Sequence, residues 1–385
     1  MLTRRQTLLF GLSGLVGISV FKAANKFRHH QANEEYSKYS NRKFAVDTSI
    51  PLAKRATASG LIYGAAVRQY ALSSDTRLAA TFARECAILV PEWELKWNIL
   101  RPHPNKFNFG PADWLASFAR SHRILLRGHT LVWHQSFALP KWFSAVNTQN
   151  ARKVMLEHIE TVVKRYAGRM HSWDVVNEAI EPKDGRDDGL RKTPWLQFLG
   201  PNYIDLAFRV AAQADPHALL VYNDYGLDYD TSEDEAKRTA VLKLMERLKS
   251  RGTPIHALGI QAHLRGEETK WNPKKLRNFL KNVAGLGLKI LITELDVVDK
   301  KLPRDIKVRD RIIAAVYEDY LSTVLEEKAV IAVITWGLSD RYSWLNEFEP
   351  RPDRAPVRPL PLDAQMQRKL AWNAIARAFD NAPKR

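Results

Sequence analysis

The sequence predicts an α/β chain closed into a single (β/α)8 TIM barrel, and three observations carry that prediction. Eight short β-rich runs recur along the 385 residues, each followed by a segment of helical periodicity. The runs are continuously apolar rather than alternating, as strands covered on both faces are. No low-complexity tract interrupts the series, so although the length alone allows two or three domains, the repeat of strand and helix makes it one.

The strands are read at 62–67 (IYGAAV), 87–91 (AILVP), 124–133 (ILLRGHTLVW), 171–177 (HSWDVVN), 219–224 (LLVYND), 257–263 (ALGIQAH), 289–296 (KILITELD) and 330–337 (VIAVITWG). Between them, Leu78, Phe82 and Cys86 form one apolar stripe, Met155, Ile159, Val162 and Tyr166 a second, and Ile312, Ile313, Val316 and Tyr320 a third. Gly168 and Gly252 follow their helices as left-handed caps do. A last helix near 363–380 closes the ring, and the proline-rich 349–363 is the later part of a long eighth βα loop. Cys86, the single cysteine, cannot form an internal disulfide and is read as packing.

Residues 1–24 place Arg4 and Arg5 before an uncharged stretch from Leu8 to Phe21, too short for a bilayer span and shaped as an export signal. TRRQTLL resembles the twin-arginine type, which carries folded proteins across the bacterial inner membrane. It implies an exported protein, periplasmic or secreted, with no stable membrane insertion after export. A lead-in follows at 25–57, and the barrel domain is placed at 58–382. Lysine and arginine number 59 against 42 acids, a formal charge of +17, of which +14 remains without residues 1–24. Such a balance points to an anionic partner. The basic residues are dispersed, however, as at Lys274, Lys275, Arg277, Lys281, Arg309 and Arg311, and no nucleic-acid motif accompanies them. An acidic polymer or an anionic envelope surface fits better than a nucleic acid, and a monomer is expected.

In a barrel of this kind the C-terminal ends of the strands carry the chemistry. Gathered there are Glu92 and Lys96 after the second strand, His129, Trp133 and His134 in the third, and Asn177 and Glu178 after the fourth. Asn223 and Asp224, Gln261 and His263, Glu294 and Asp296, and Trp336 with Trp344 complete the set. No glycine-rich phosphate cradle and no G-x-S-x-G elbow is present, which removes phosphoryl transfer and serine hydrolysis. No H-x-x-x-H or H-x-H spacing places two imidazoles together for a metal, and neither a metal nor a cofactor is expected. Glutamates on strands four and seven face each other across an eight-strand ring, the arrangement that glycoside cleavage needs. The tryptophans offer flat faces to sugar rings, and the amides and histidines offer hydrogen bonds to hydroxyls. Asn-Glu also occurs at Asn33-Glu34 and Asn346-Glu347, so position at a strand end is what singles out Asn177-Glu178. Trp114, Trp173, Trp195 and Trp372 are read as packing or surface, and His158, His171 and His256 as satisfied core residues.

RGHTLVWH (127–134), WDVVNE (173–178), YNDY (222–225), GIQAHL (259–264), ITELD (292–296) and WGLSDRYSW (336–344) together resemble the family 10 glycoside hydrolases, the endo-β-1,4-xylanases. The resemblance spans about 60–380. It implies endo-acting, retaining hydrolysis of xylan, with Glu178 as acid/base and Glu294 as nucleophile. It further implies that His263 bonds the nucleophile with Asp296 on its other nitrogen, and that Asn177 contacts the sugar 2-hydroxyl. Glu92, Lys96, His129 and Trp133 look like residues for the glycone-side sugars, with Gln261, Trp336 and Trp344 lining the same cleft. Two positions depart from the family: Trp93 stands where an asparagine is usual, and Ser136 where a glutamine is common. Both fall on the sugar-binding side, and Trp93 is expected to exchange a hydrogen bond for stacking. A β-1,4-glucanase or xyloglucan-type hydrolase is the alternative within enzymes, and a non-catalytic sugar-binding barrel the alternative outside them. The charge balance suggests a glucuronic-acid-substituted xylan as substrate.

Overall fold

The computed structural model describes residues 42–268 and 270–385, so the expected export signal and the lead-in up to residue 41 lie outside the described residues. Nine strands are present: β1 (Ile62–Val67), β2 (Ile88–Pro91), β3 (Leu125–Gly128), β4 (Met170–Asn177), β5 (Leu219–Asp224), β6 (Ala257–Ile260), β7 (His263–Arg265), β8 (Lys289–Val298) and β9 (Val330–Thr335). Every pairing is parallel, neighbours run in sequence order from β1 to β6, and β6 pairs β8 while β9 pairs β1. The ring is therefore closed, a (β/α)8 barrel in which β6 and β7 are two pieces of the sixth barrel strand. β1, β2, β5, β6 and β9 are almost wholly buried, which is why their sequences run apolar without alternation.

The helical stripes face the core as their periodicity requires: Met155, Ile159, Val162 and Tyr166 are buried, as are Leu78, Phe82 and Cys86. Gly168 and Gly252 have φ of +71° and +60°, the left-handed geometry of a helix cap. The last helix is shorter than expected, Leu370–Asp380. Residues 52–58, assigned largely to the lead-in, form a helix with Leu52 and Ala56 buried. Glu85 joins it to the last helix: its carboxylate accepts from Leu52 N and from Trp372 Nε1, both at 3.1 Å. Among the described residues no helix is long and apolar enough to cross a membrane.

Several strand ends shift by one or two residues from the sequence reading, and the two strands that differ more do so at the site. The third was expected to run to residue 133, but β3 ends at Gly128. The Thr130 hydroxyl and the Leu131 amide both donate to the Asp174 carbonyl, at 2.9 and 3.0 Å, so the chain leaves regular pairing there and touches β4 again only at Val132↔Val176. The sixth breaks at Gln261–Ala262. From Ile260↔Ile292 to His263↔Asp296, β8 advances one residue more than its partner, and Ala262 takes φ +59° in the mismatch. The break sets His263 directly opposite Asp296.

Candidate active site

A cleft of about 740 Å³ opens at the C-terminal ends of the strands. Glu92, Trp93, Lys96, His129, Trp133, Asn177, Glu178, Gln261, His263, Glu294, Trp336 and Trp344 all line it. Asp296 does not, because it is fully buried behind His263.

Backbone irregularity aims both glutamates. Glu178 is the first residue beyond β4 and has φ +58°, a region that residues with a Cβ rarely occupy and that concentrates at functional sites. Its amide is held by the Asn223 carbonyl at 2.9 Å, and its carbonyl accepts from Arg191 Nε at 2.8 Å. Glu294 lies where the β8–β9 register shifts between Ile292 and Leu295, a bulge of the kind that re-aims a side chain beside an active site.

An amide relay connects the two carboxylates. Asn223 Nδ2 donates to Glu294 Oε1 at 2.8 Å and to Asn177 Oδ1 at 2.9 Å. Asn177 Nδ2 and Gln261 Nε2 donate to Glu178 Oε1 at 3.2 and 3.0 Å. On the far side, His263 Nε2 lies 3.2 Å from Glu294 Oε2 while its Nδ1 lies 3.0 Å from Asp296. Trp344 Nε1 donates to the other Asp296 oxygen at 2.7 Å.

The electrostatics follow from these partners. Burial works against charging His263, but Asp296 and Glu294 outweigh it and raise its pKa to about 10. Burial likewise works against ionised Glu294, yet the hydrogen bond from His263, the nearby His129 and the Asn223 amide bring its pKa down to about 2. Glu294 is thus an anion across the physiological range. Burial lowers the Lys96 pKa and raises that of Glu92, each opposed by its charged neighbours. His129 is fixed by Asp174, whose carboxylate meets its Nδ1 at 3.0 Å and also pairs with Arg127. Trp133 Nε1 is buried without a partner among the described residues, a donor free for a sugar hydroxyl.

Some of this was not legible as function in the sequence. Asn223 was noted at a strand end but given no role. Arg68, which pairs with Glu92 at 2.8 Å, stands one residue past β1, the strand whose end was not read for chemistry. Phe137 and Phe348 also line the cleft, from the loops after β3 and β9. Trp173, Trp195 and Trp372 pack in the core as expected, and His158 stacks on Trp97 with ring centroids 3.7 Å apart, but it is not the satisfied residue expected, because both of its ring nitrogens are buried without a hydrogen-bond partner among the described residues. Among the described residues no cluster of three His, Cys, Asp or Glu side chains is arranged for a metal.

An ionised carboxylate facing a second one across indole faces and amide donors suits cleavage of a glycosidic bond. On a (β/α)8 barrel, that chemistry defines a glycoside hydrolase. The chain belongs to glycosyl hydrolase family 10, whose model matches residues 51–378. It is similar to a β-1,4-xylanase of Dictyoglomus thermophilum, 38% identical over 266 residues, covering 67% of this chain and 72% of the relative. An endo-1,4-β-xylanase B of Thermotoga neapolitana is 35% identical over 268 residues, covering 69% and 73%. Among solved structures, native xylanase 10B from Thermotoga maritima superposes with a TM-score of 0.78 at 32% identity, covering 86% of this chain and 98% of that one. Xylanase 10B from Thermotoga petrophila RKU-1 in complex with xylobiose gives 0.78 at 31%, covering 87% and 99%.

Proposed function

We propose that this enzyme hydrolyses β-1,4-xylosidic bonds of xylan, as an endo-acting enzyme that retains anomeric configuration by double displacement. The observation that carries this reading is the pair Glu178 and Glu294, facing one cleft and tied through Asn177, Gln261 and Asn223, with His263 hydrogen-bonded to Glu294. Glu294 attacks the anomeric carbon as Glu178 gives its proton to the leaving oxygen, which breaks the glycosidic bond and leaves a glycosyl ester on Glu294. A water then gives its proton to Glu178 and its oxygen to the anomeric carbon, releasing the sugar and restoring both carboxyl groups. His263 stays protonated throughout, because Asp296 balances its charge and keeps Glu294 oriented. Since the proton goes to the leaving oxygen, the leaving sugars lie beyond Glu178, toward Tyr225 and Arg265. The glycone sugars lie on the Glu92 and Lys96 side.

The cleft lining carries Glu92, Glu178, Asp228, Glu233, Asp234, Glu268 and Glu294 against Lys96, Arg265 and Lys270. The chain's positive excess therefore lies outside it. A glucuronic-acid substituent would be met at Arg265 and Lys270, on the leaving-group side. Product analysis on glucuronoxylan, arabinoxylan and cellulose, with NMR reporting the anomer released first, tests the whole reading. Turnover of xylan with the β-anomer first is expected. An α-anomer first would overturn retention, and preferential turnover of cellulose would replace xylanase by glucanase.

A further inference from the structure

Beyond Lys96 the glycone end of the cleft is crossed by a closed ring of side-chain contacts from four different loops. Phe137, after β3, meets Trp93, after β2, with ring centroids 6.1 Å apart. The Arg68 guanidinium, after β1, lies 5.7 Å from the Trp93 centroid and 3.5 Å from Glu347 Oε1, after β9. Next to Glu347, Phe348 returns to Phe137 at 6.1 Å, closing the ring. Aromatic centroids 4.5–7 Å apart are in van der Waals contact, so no sugar passes between the members of these ring pairs. The ring is braced as well as closed. Trp133 packs edge-on against Phe137 at 5.4 Å, Asn98 Nδ2 donates to the Phe137 carbonyl at 2.9 Å, and Trp344 backs Phe348 at 5.5 Å. Phe137 and Phe348 remain 49% and 46% exposed, too open to be placed there by core packing.

Resting on the xylan-hydrolase reading above, we infer that Phe137 and Phe348 form a stop at the glycone end of the cleft. One sugar sits at Glu294, a second lies against Glu92 and Lys96, and a third meets the phenyl rings. The linkage cut most readily in an oligosaccharide is then the second from its non-reducing end. A long polymer is cut internally only where its chain can rise over the stop.

The test is the cleavage pattern of xylohexaose with an ¹⁸O label at its reducing end, which tells the two ends apart by mass. The parent enzyme is expected to release unlabelled xylobiose with labelled xylotetraose. The Phe137→Ala/Phe348→Ala variant is expected to move cleavage inward, with a several-fold rise in xylotriose, while still hydrolysing an aryl β-xylobioside whose two sugars fit inside the stop. A parent that cuts the third linkage as readily as the second overturns the inference, and needs no variant to do so. A folded double variant with the parent's pattern overturns it too, and Phe348→Ala alone serves if the double variant does not fold. Failure of the parent to cleave xylohexaose at all would instead overturn the substrate reading, an outcome distinct from cleavage at another linkage.

Discussion

The side-chain amide of Asn223 donates to Glu294 Oε1 at 2.8 Å. Its second N–H goes to Asn177 Oδ1 at 2.9 Å, and its own oxygen accepts from the Thr293 hydroxyl at 2.6 Å. A fully buried asparagine with its donors and acceptor engaged has one orientation, and that orientation is transmitted to Glu294 and, through Asn177, to Glu178. Asn223→Ala removes a hydrogen bond to a charged group, about 1.5–3 kcal/mol, or roughly 10- to 150-fold in kcat if the bond acts in the transition state. Asn223→Asp keeps the shape but sets a second carboxylate beside Glu294, so the acid limb of the kcat profile should move to higher pH. Steady-state kinetics across pH check both. An unchanged kcat in Asn223→Ala would leave the amide without a catalytic role.

Gly259 keeps that amide in place by having no side chain. A Cβ there would lie 2.3 Å from Asn223 Oδ1 and 3.0 Å from Thr293 Cγ2. Gly259→Ala should therefore cost about 1–3 kcal/mol of stability, as overpacking does, and should also lower kcat by displacing Asn223. In an Asn223→Ala background the same glycine change should cost much less in both, because the atom it strikes is gone. Additive losses in the double variant would show that Gly259 acts independently of Asn223.

How much of this the sequence carries depends on whether a feature is local. Glu178 is legible because a buried parallel strand is a run of apolar residues that stops where its polar residues begin, whereas β8 carries Glu294 inside its run and continues to Val298. His263 and Asp296 were paired through the family resemblance. Their contact depends on a one-residue mismatch between β6–β7 and β8, which no periodicity reveals. The third strand was read too long because Leu131 and Val132 are as apolar as strand residues, while the turn away is made by the Thr130 hydroxyl. The role of Asn223 and the Phe137–Phe348 contact are not legible for one reason. Each is a relation between elements distant in the chain and lies in the register of the ring, not in a motif.

The shifted groups Glu294 and His263 fix a stability window. Glu294 falls from an ordinary 4.5 to about 2, so its contribution is present above about 4.5 and is lost as pH falls toward 2. His263 rises from 6.5 to about 10, so its contribution is complete below 6.5 and is lost as pH rises through 10. Both act in full between about 4.5 and 6.5. Tm measured from pH 4 to 10 should fall on the alkaline side in the parent and fall less in His263→Gln, which has no proton to lose there. Parallel alkaline limbs would mean that His263 is not the group responsible.

The two glutamates are separable by the product each variant makes with azide. Glu294→Ala and Glu178→Ala should each lower kcat on xylan by orders of magnitude. With an activated aryl xylobioside, azide can take the vacant nucleophile position in Glu294→Ala and yield the α-azide. In Glu178→Ala it can instead attack the glycosyl-enzyme from the opposite face and yield the β-azide. NMR of the azide products distinguishes the two, and the same anomer from both variants would contradict the assigned roles.

Trp93 lines the cleft beside Glu92 and Lys96, where the family resemblance implies an asparagine. Its ring is engaged by the Lys96 ammonium 4.1 Å from the centroid and by Phe137 at 6.1 Å. A cation held over an indole is worth about 0.5–2 kcal/mol, so Trp93 offers the sugar a flat, charge-backed face instead of a directional donor. Trp93→Asn should therefore raise kcat/KM on linear xylooligosaccharides, mainly through KM, and lower it on chains decorated at the second glycone unit. Trp93 also touches Phe137 in the ring that carries the stop, so the linkage cut is measured beside KM. Loss of the stop changes which linkage is cut, whereas regained hydrogen bonding changes how tightly the second sugar binds before the same linkage is cut. Equal turnover of linear xylan by Trp93→Asn and the parent would count against the exchange of hydrogen bonding for stacking at this position.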